Sequence, residues 1–128
     1  MIPTKIKLNK ENGSLSLAYT DGRQFTFSGE FLRVHSPSAE VRGHGKGQEV
    51  LQHGKKDVKV IHLEPTGNYA IRLIFNDEHD TGIYSWEYLQ ELGENQEQYW
   101  EDYLQKLQTA GKHRDASVQV VQLMDPRQ

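Results

Sequence analysis

The sequence predicts an α+β fold, an antiparallel β-meander and a hairpin packed with two C-terminal helices. Three observations lead there. The first thirty residues alternate apolar and polar around two turn dipeptides, a second pair of strand-like runs flanks Glu64-Pro65-Thr66-Gly67, and apolar residues recur at helical spacing from Trp86 onward. A single α+β domain is expected over residues 1–111, followed by a tail, 112–128, that adds a short docked strand and then frays.

In the meander, Ile6 and Leu8, then Leu15, Leu17 and Tyr19, then Phe25 and Phe27 alternate with polar residues. Asn12-Gly13 and Asp21-Gly22 separate these runs, and both dipeptides tolerate the positive φ of tight hairpin turns. Ser28 then caps a short helical turn through Phe31, Leu32 and Val34, which Ser36-Pro37 stops because the residue before proline avoids helical dihedrals.

Residues Gly43 to Lys56, rich in glycine, lysine and histidine, read as a long basic loop, the kind of segment that is often functional. Val58–Leu63 and Tyr69–Phe75 read as a hairpin with Pro65 and Gly67 in its turn; Tyr69, Ile71, Leu73 and Phe75 share one face. Asn76 to Trp86 reads as a turn leading to a helix cap at Ser85, with Ile83 and Trp86 as core anchors. The helix carries Trp86, Leu89 and Leu92 and ends near Gly93. Asn95 with Gln98 resembles a capping box for a second helix, whose Tyr99, Trp100, Tyr103, Leu104 and Leu107 share a face up to Gly111. Val118 to Leu123 is the candidate for the docked strand.

Composition excludes several chemistries. With no cysteine, the chain has no disulfide, no thiolate nucleophile and no Cys-type zinc or iron–sulfur site of its own. The first residues lack the apolar stretch of a signal peptide, and no run approaches the roughly 20 apolar residues of a membrane helix. A cytoplasmic protein without membrane attachment is the expectation. A net charge of -3 argues against general nucleic-acid binding.

That charge is unevenly spread. Arg33, Arg42, Lys46, Lys55, Lys56 and Lys59 face only Glu40, Glu49 and Asp57 in their stretch, whereas Asn76 to Gln105 holds nine carboxylates and neither Lys nor Arg. Either the two regions complement each other or are simply solvated, or one of them steers a partner. Head-to-tail self-association would use the same polarity.

Among candidate motifs, His35, His44, His53 and His62 are evenly spaced without a shared context, and a nine-residue period sends successive residues to opposite sides of a helix. Gly43-His44-Gly45-Lys46-Gly47 offers backbone N–H groups to an anion but fails the P-loop pattern. Ser36 and Ser38 lie in no nucleophile elbow. Asn76 to Trp86 concentrates polar chemistry between strand and helix, with His79 as its candidate ligand or contact residue.

Three blocks then carry a resemblance: Leu32-Arg33-Val34-His35-Ser36-Pro37-Ser38-Ala39-Glu40-Val41-Arg42-Gly43-His44, Glu64-Pro65-Thr66-Gly67-Asn68-Tyr69-Ala70, and His79-Asp80-Thr81-Gly82-Ile83-Tyr84-Ser85-Trp86-Glu87-Tyr88-Leu89. In this order, over about Leu15 to Leu107, the chain resembles the gamma-butyrobetaine hydroxylase-like N-terminal domain family. That family's domain occurs alone, ahead of the hydroxylase's oxygenase domain, and fused to iron–sulfur carrier ATPases of the Mrp/ApbC type. In the hydroxylases it holds zinc with three cysteines and a histidine. The resemblance matches the cysteine block to Ser36, Ser38 and Val41 and the histidine to His79, so three of four ligands are absent.

The leading expectation is a non-catalytic adaptor. An exposed patch of Arg33, His35, Ser36, Ser38, Glu40, Arg42, His44, His79 and Tyr84 would recognise a protein partner, with an iron–sulfur carrier ATPase the candidate the fusions imply. No cofactor is expected. The alternative is a metal-binding protein, with zinc or iron on His79 and a shell rebuilt from His35, Glu40 or His44. A third reading is an enzyme on a small anion held by Arg42, Lys46 and Arg72, with His79 or His44 as base.

Overall fold

The computed structural model describes residues 1–43 and 47–117. Strands β1 (Lys5–Leu8), β2 (Leu15–Ala18) and β3 (Gln24–Phe27) form the predicted antiparallel meander, in the order β1-β2-β3. Its turns use Gly13 and Gly22 at positive φ. Leu15 pairs with Phe27 and Leu17 with Phe25, so the apolar face runs across β2 and β3.

Helix α1 (Gly29–Val34) follows at once, capped by Ser28, whose Oγ accepts from the Phe31 amide at 3.0 Å. After Pro37 comes an unpredicted single turn, α2 (Ala39–Arg42). Ser38 stands at its N-cap but makes no capping bond there; its hydroxyl lies instead near His79.

The second sheet has the order β4-β5-β6, with β4 (Val60–Thr66), β5 (Ala70–Phe75) and β6 (Gly82–Ser85) all antiparallel. Its hairpin differs from expectation in register. Pro65 is not in the turn; it pairs with Ile71, a position proline tolerates because β4 is an edge strand. The chain turns over Gly67–Tyr69, which leaves Tyr69 exposed while Ile71, Leu73 and Phe75 stay buried.

β6 is the larger correction. Tyr84 lies opposite the buried Ile71, and Ile83 opposite Arg72, so Tyr84 points into the core and Ile83 outward, the reverse of the sequence reading. With a side-chain period of two, one residue of phase exchanges the faces.

Helix α3 (Trp86–Glu94) begins where predicted, with Ser85 Oγ accepting from the Tyr88 amide at 3.1 Å. It runs past Gly93, which is no cap. A Cβ there would come within 2.6 Å of the Phe25 ring, so the glycine permits close packing of α3 on the meander. Asn95 joins α3 to α4 (Gln96–Ala110), yet forms no capping box: its Nδ2 donates back to the Glu91 carbonyl. Gly111 closes α4 in the left-handed region, with its N–H on Gln108 and that of Lys112 on Leu107, a Schellman pair.

Residues of both sheets, α1 and α3 share one core, among them Leu17, Phe27, Leu32, Leu73, Phe75, Tyr84 and Leu89. Val34, Tyr103 and Leu107 form a second cluster under α4. Beyond α4, residues 112–117 lie along the 54–56 segment, where Gly54 and Lys56 donate to the carbonyls of His113 and Arg114. The strand expected at Val118–Leu123 lies outside the described residues. Among the described residues no helix is long and apolar enough to cross a membrane.

Candidate functional site

The Ser36–Arg42 segment and the loop between β5 and β6 meet over His79. Ser36 Oγ lies 2.8 Å and Ser38 Oγ 3.4 Å from His79 Nε2, and the two hydroxyls are 3.3 Å apart. Glu40 Oε2 lies 3.3 Å from Nδ1 on the far side of the ring. The tautomer that suits both sides carries its proton on Nδ1, facing the Glu40 carboxylate, and leaves Nε2 to accept from a serine hydroxyl.

Neighbouring groups fix this relay. The His79 amide donates to Asp77 Oδ1, while Asp77 Oδ2 accepts from Arg33 Nε at 2.9 Å and Lys55 Nζ at 2.7 Å. Those cations hold the Asp77 carboxyl below its usual range against the effect of its burial. Thr81 Oγ1 donates to Glu40 Oε1, and the Tyr84 hydroxyl to the Leu32 carbonyl. Gly82 is required by space: a Cβ would meet Ser36 Oγ at 2.7 Å and the Tyr84 ring at 2.9 Å.

Ser36, His79 and Glu40 thus have the composition of a nucleophile, a base and an orienting acid. They lack access. Ser36 is 1% exposed and His79 5%, with the Gly82 backbone closing over the serine.

Nor do these residues fit the zinc that the family resemblance implies. Zinc takes four N, S or carboxylate donors. Val41 has none to give, the serine hydroxyls are neutral, and only His79 remains of the four positions. His35 cannot fill the gap, because its Nδ1 donates to the Phe31 carbonyl at 2.8 Å and its ring lies against Phe31 and Tyr99. Among the described residues no three His, Asp or Glu side chains converge.

The expected exposed patch needs correcting on burial. Arg33, Ser36, Ser38, His79 and Tyr84 are buried, His35 is half-buried, and only Glu40 and Arg42 are open to solvent. The surface reading failed because these residues are polar, and polar groups can be buried when they satisfy one another. His44 and Lys46 lie outside the described residues. Arg72 does not share an anion site with Arg42: it pairs with Glu64 and Asp80, while Arg42 lies over Tyr88.

What sequence reasoning missed is a groove of about 900 Å³ beside the relay, between α1–α2, residues 49–52, and helices α3 and α4. Tyr88, Tyr99, Tyr103 and His35 supply its aromatic walls. The Tyr88 hydroxyl donates to the His35 carbonyl, that of Tyr103 to Gln52, and that of Tyr99 to Glu91 Oε2. The bond to Glu91 pushes the Tyr99 phenol up to about 12, and burial does the same to Tyr103. The Arg42 guanidinium sits 4.8 Å from the Tyr88 ring centre at the rim. Tyr99 and Tyr103 are visible in the sequence as part of a helical stripe, and Tyr88 is not, but a stripe does not show which part of it the next element leaves uncovered.

Burial lowers the pKa of both His79 and His35 from 6.5, aided at His79 by Arg33 and opposed by Glu40 and Asp77. Each folded histidine therefore binds protons less readily than its unfolded counterpart. Stability should be full above the unfolded value near pH 6.5 and fall as pH drops toward the folded values. Thermal melts between pH 7.5 and 5.5 should show a falling Tm, with a shallower fall in His79→Gln. A Tm that rises on acidification would contradict this.

The gamma-butyrobetaine hydroxylase-like, N-terminal family model matches residues 6–90. Two solution NMR structures are similar over nearly the whole chain. One is 49% identical with a TM-score of 0.80, covering 96% of this chain and 97% of its own; the other is 44% identical with a TM-score of 0.75, covering 94% and 93%. A crystal structure of a protein of unknown function from Acidithiobacillus ferrooxidans ATCC 23270, of the DUF971 family, is 33% identical with a TM-score of 0.59 over 71% of this chain and 91% of that one. No curated protein matches the chain significantly. With more than half of its length matched, the chain belongs to the gamma-butyrobetaine hydroxylase-like N-terminal domain family.

Proposed function

We propose that the chain is a non-catalytic binding module that docks a protein partner in the groove between α1–α2 and α3–α4. The carrying observation is the contrast between a closed relay and an open groove. Ser36 and His79 have no room for a substrate, whereas the groove offers rigid tyrosine faces and adaptable polar groups at one mouth. Aromatic side chains of this kind anchor protein interfaces because they bury much area for little conformational entropy. The iron–sulfur carrier ATPases to which the family's domain is fused are the partner class this reading favours, acting in the cytoplasm.

A photoreactive amino acid at Val50, which is exposed and lines the groove, tests it. With a purified iron–sulfur carrier ATPase from the same cells, Val50 should cross-link and the same probe at Ile83, on the outer face of the second sheet, should not. Equal labelling at both positions, or none at Val50, would overturn the reading. So would covalent labelling of Ser36 by a fluorophosphonate, which would return the relay to nucleophilic chemistry.

A further inference from the structure

Helices α3 and α4 carry Glu87, Glu91, Glu94, Glu97, Glu101 and Asp102, all exposed, against Lys106 alone. Of these carboxylates only Glu94 is in an ion pair among the described residues, with Arg23. Glu87 and Glu91 stand four residues apart on one helix, as do Glu97 and Glu101 on the next. Like charges at that spacing repel and weaken the helix that holds them. Glu87 and Glu97 suit the first turns of their helices, and Glu91, Glu94 and Asp102 accept from Tyr99, Arg23 and Gln98, but these local bonds leave the excess negative charge of the two helices uncancelled, and its field reaches outward.

The groove opens onto this field. Glu91 and Asp102 stand in its lining beside Tyr99 and Tyr103, with Glu49 on the opposite side. A cation entering would meet aromatic faces, which attract positive charge through the ring quadrupole, with carboxylates around them. The chain already displays that recognition once, in the Arg42 guanidinium over Tyr88. The lining also holds Arg42 and Lys106, but Arg42 is engaged by that ring, and the two cations are outnumbered in the lining by Glu49, Glu91 and Asp102.

We propose that the occupant of the groove is a basic segment of the partner protein, with arginine or lysine side chains set against Tyr99 between Glu91 and Asp102. This rests on the docking reading above and names the chemistry of its partner. It also accounts for the sign of the charge asymmetry between the helices and the rest of the chain, since an acidic face accelerates encounter with a basic one.

The test uses the full chain, isotope-labelled for NMR, titrated with a short capped peptide of alternating arginine and glycine at low salt. Amide shifts should concentrate at Glu91, Tyr99 and Asp102 and shrink as salt approaches physiological strength. The paired substitution Glu91→Gln with Asp102→Asn, at unchanged Tm, should weaken binding about fivefold, the size expected for two exposed charges. A glutamate–glycine peptide of the same length should not bind. Absence of shifts, shifts scattered over the surface, equal binding of the acidic peptide, or no effect of the paired substitution would each overturn the proposal. Concentration-dependent sedimentation of the chain alone, abolished by that substitution, would also overturn it, by making a second copy the occupant. Cross-linking at Val50 without binding of the basic peptide would leave the docking reading standing and remove only this one.

Discussion

Gly29→Ala is expected to cost about 3 kcal/mol of stability, a fall in Tm of about 10 °C for a chain of this size. Alanine normally favours a helix over glycine by roughly 1 kcal/mol, so propensity alone gives the opposite sign. Space decides against it. A Cβ on Gly29 would lie 2.4 Å from the Val58 carbonyl oxygen and 2.7 Å from Lys59 Cα, and backbone cannot rotate away as a side chain does. Relief requires α1 to move off the chain entering β4. That shift would disturb Phe31 and Leu32 in the core and Arg33 on Asp77, so the damage would reach the Ser36–His79 relay as well. Urea unfolding measures it, and a variant as stable as the parent would show that the 58–60 segment gives way freely.

The same glycine shows which parts of the fold could be read in advance. The meander was legible because β2 and β3 are each short, alternate strictly and are bounded by Asn12-Gly13 and Asp21-Gly22, so local chemistry and burial agree. Ser28 and Ser85 were legible as caps for the same reason. Gly29, Gly82 and Gly93 were not, because each is glycine on account of a remote neighbour: Val58 and Lys59, Ser36, and Phe25. The reading of Gly93 as a helix end followed local rules where a distant ring sets the requirement.

The candidate site divides along the same line. Its polar residues were found, since Ser36, Ser38, Glu40 and His79 are the ones the relay brings together. Their burial was not, because it depends on Asp77, Arg33 and Lys55 arriving from three separate segments to balance charge. Tyr84 reads as exposed from local sequence alone, because only its pairing with Ile71 across Gly82–Ser85 turns it inward. The groove was missed outright. It is a space between elements, and no stretch of sequence marks a space.

The second large effect is expected where the chain leaves α4. Glu30 is 4% exposed, and its two oxygens accept from Arg114 Nε at 2.9 Å and Nη2 at 2.7 Å, while the guanidinium stacks 5.0 Å over Trp100. Arg114→Met would leave a carboxylate in the interior without its cation. For a wholly buried pair that costs about 3–5 kcal/mol; Arg114 is partly solvated, and about 2–3 kcal/mol is the fitting expectation. Replacing both residues, Glu30→Met with Arg114→Met, should recover most of the loss, since the desolvation of the charges disappears along with their attraction. Losses that simply add in the double variant would rule out this account. The pair also bears on function. Arg114 and His113 accept from the Lys56 and Gly54 amides, and the chain just before them, through Leu51 and Gln52, forms one wall of the groove, with Gln52 accepting from the Tyr103 hydroxyl. Hydrogen exchange at Gly54 and Lys56 should therefore speed up in Arg114→Met by a larger factor than at the core amides of β2 and β5, which respond only to the loss of global stability. The basic peptide should then bind more weakly, because its docking wall spends part of its time displaced.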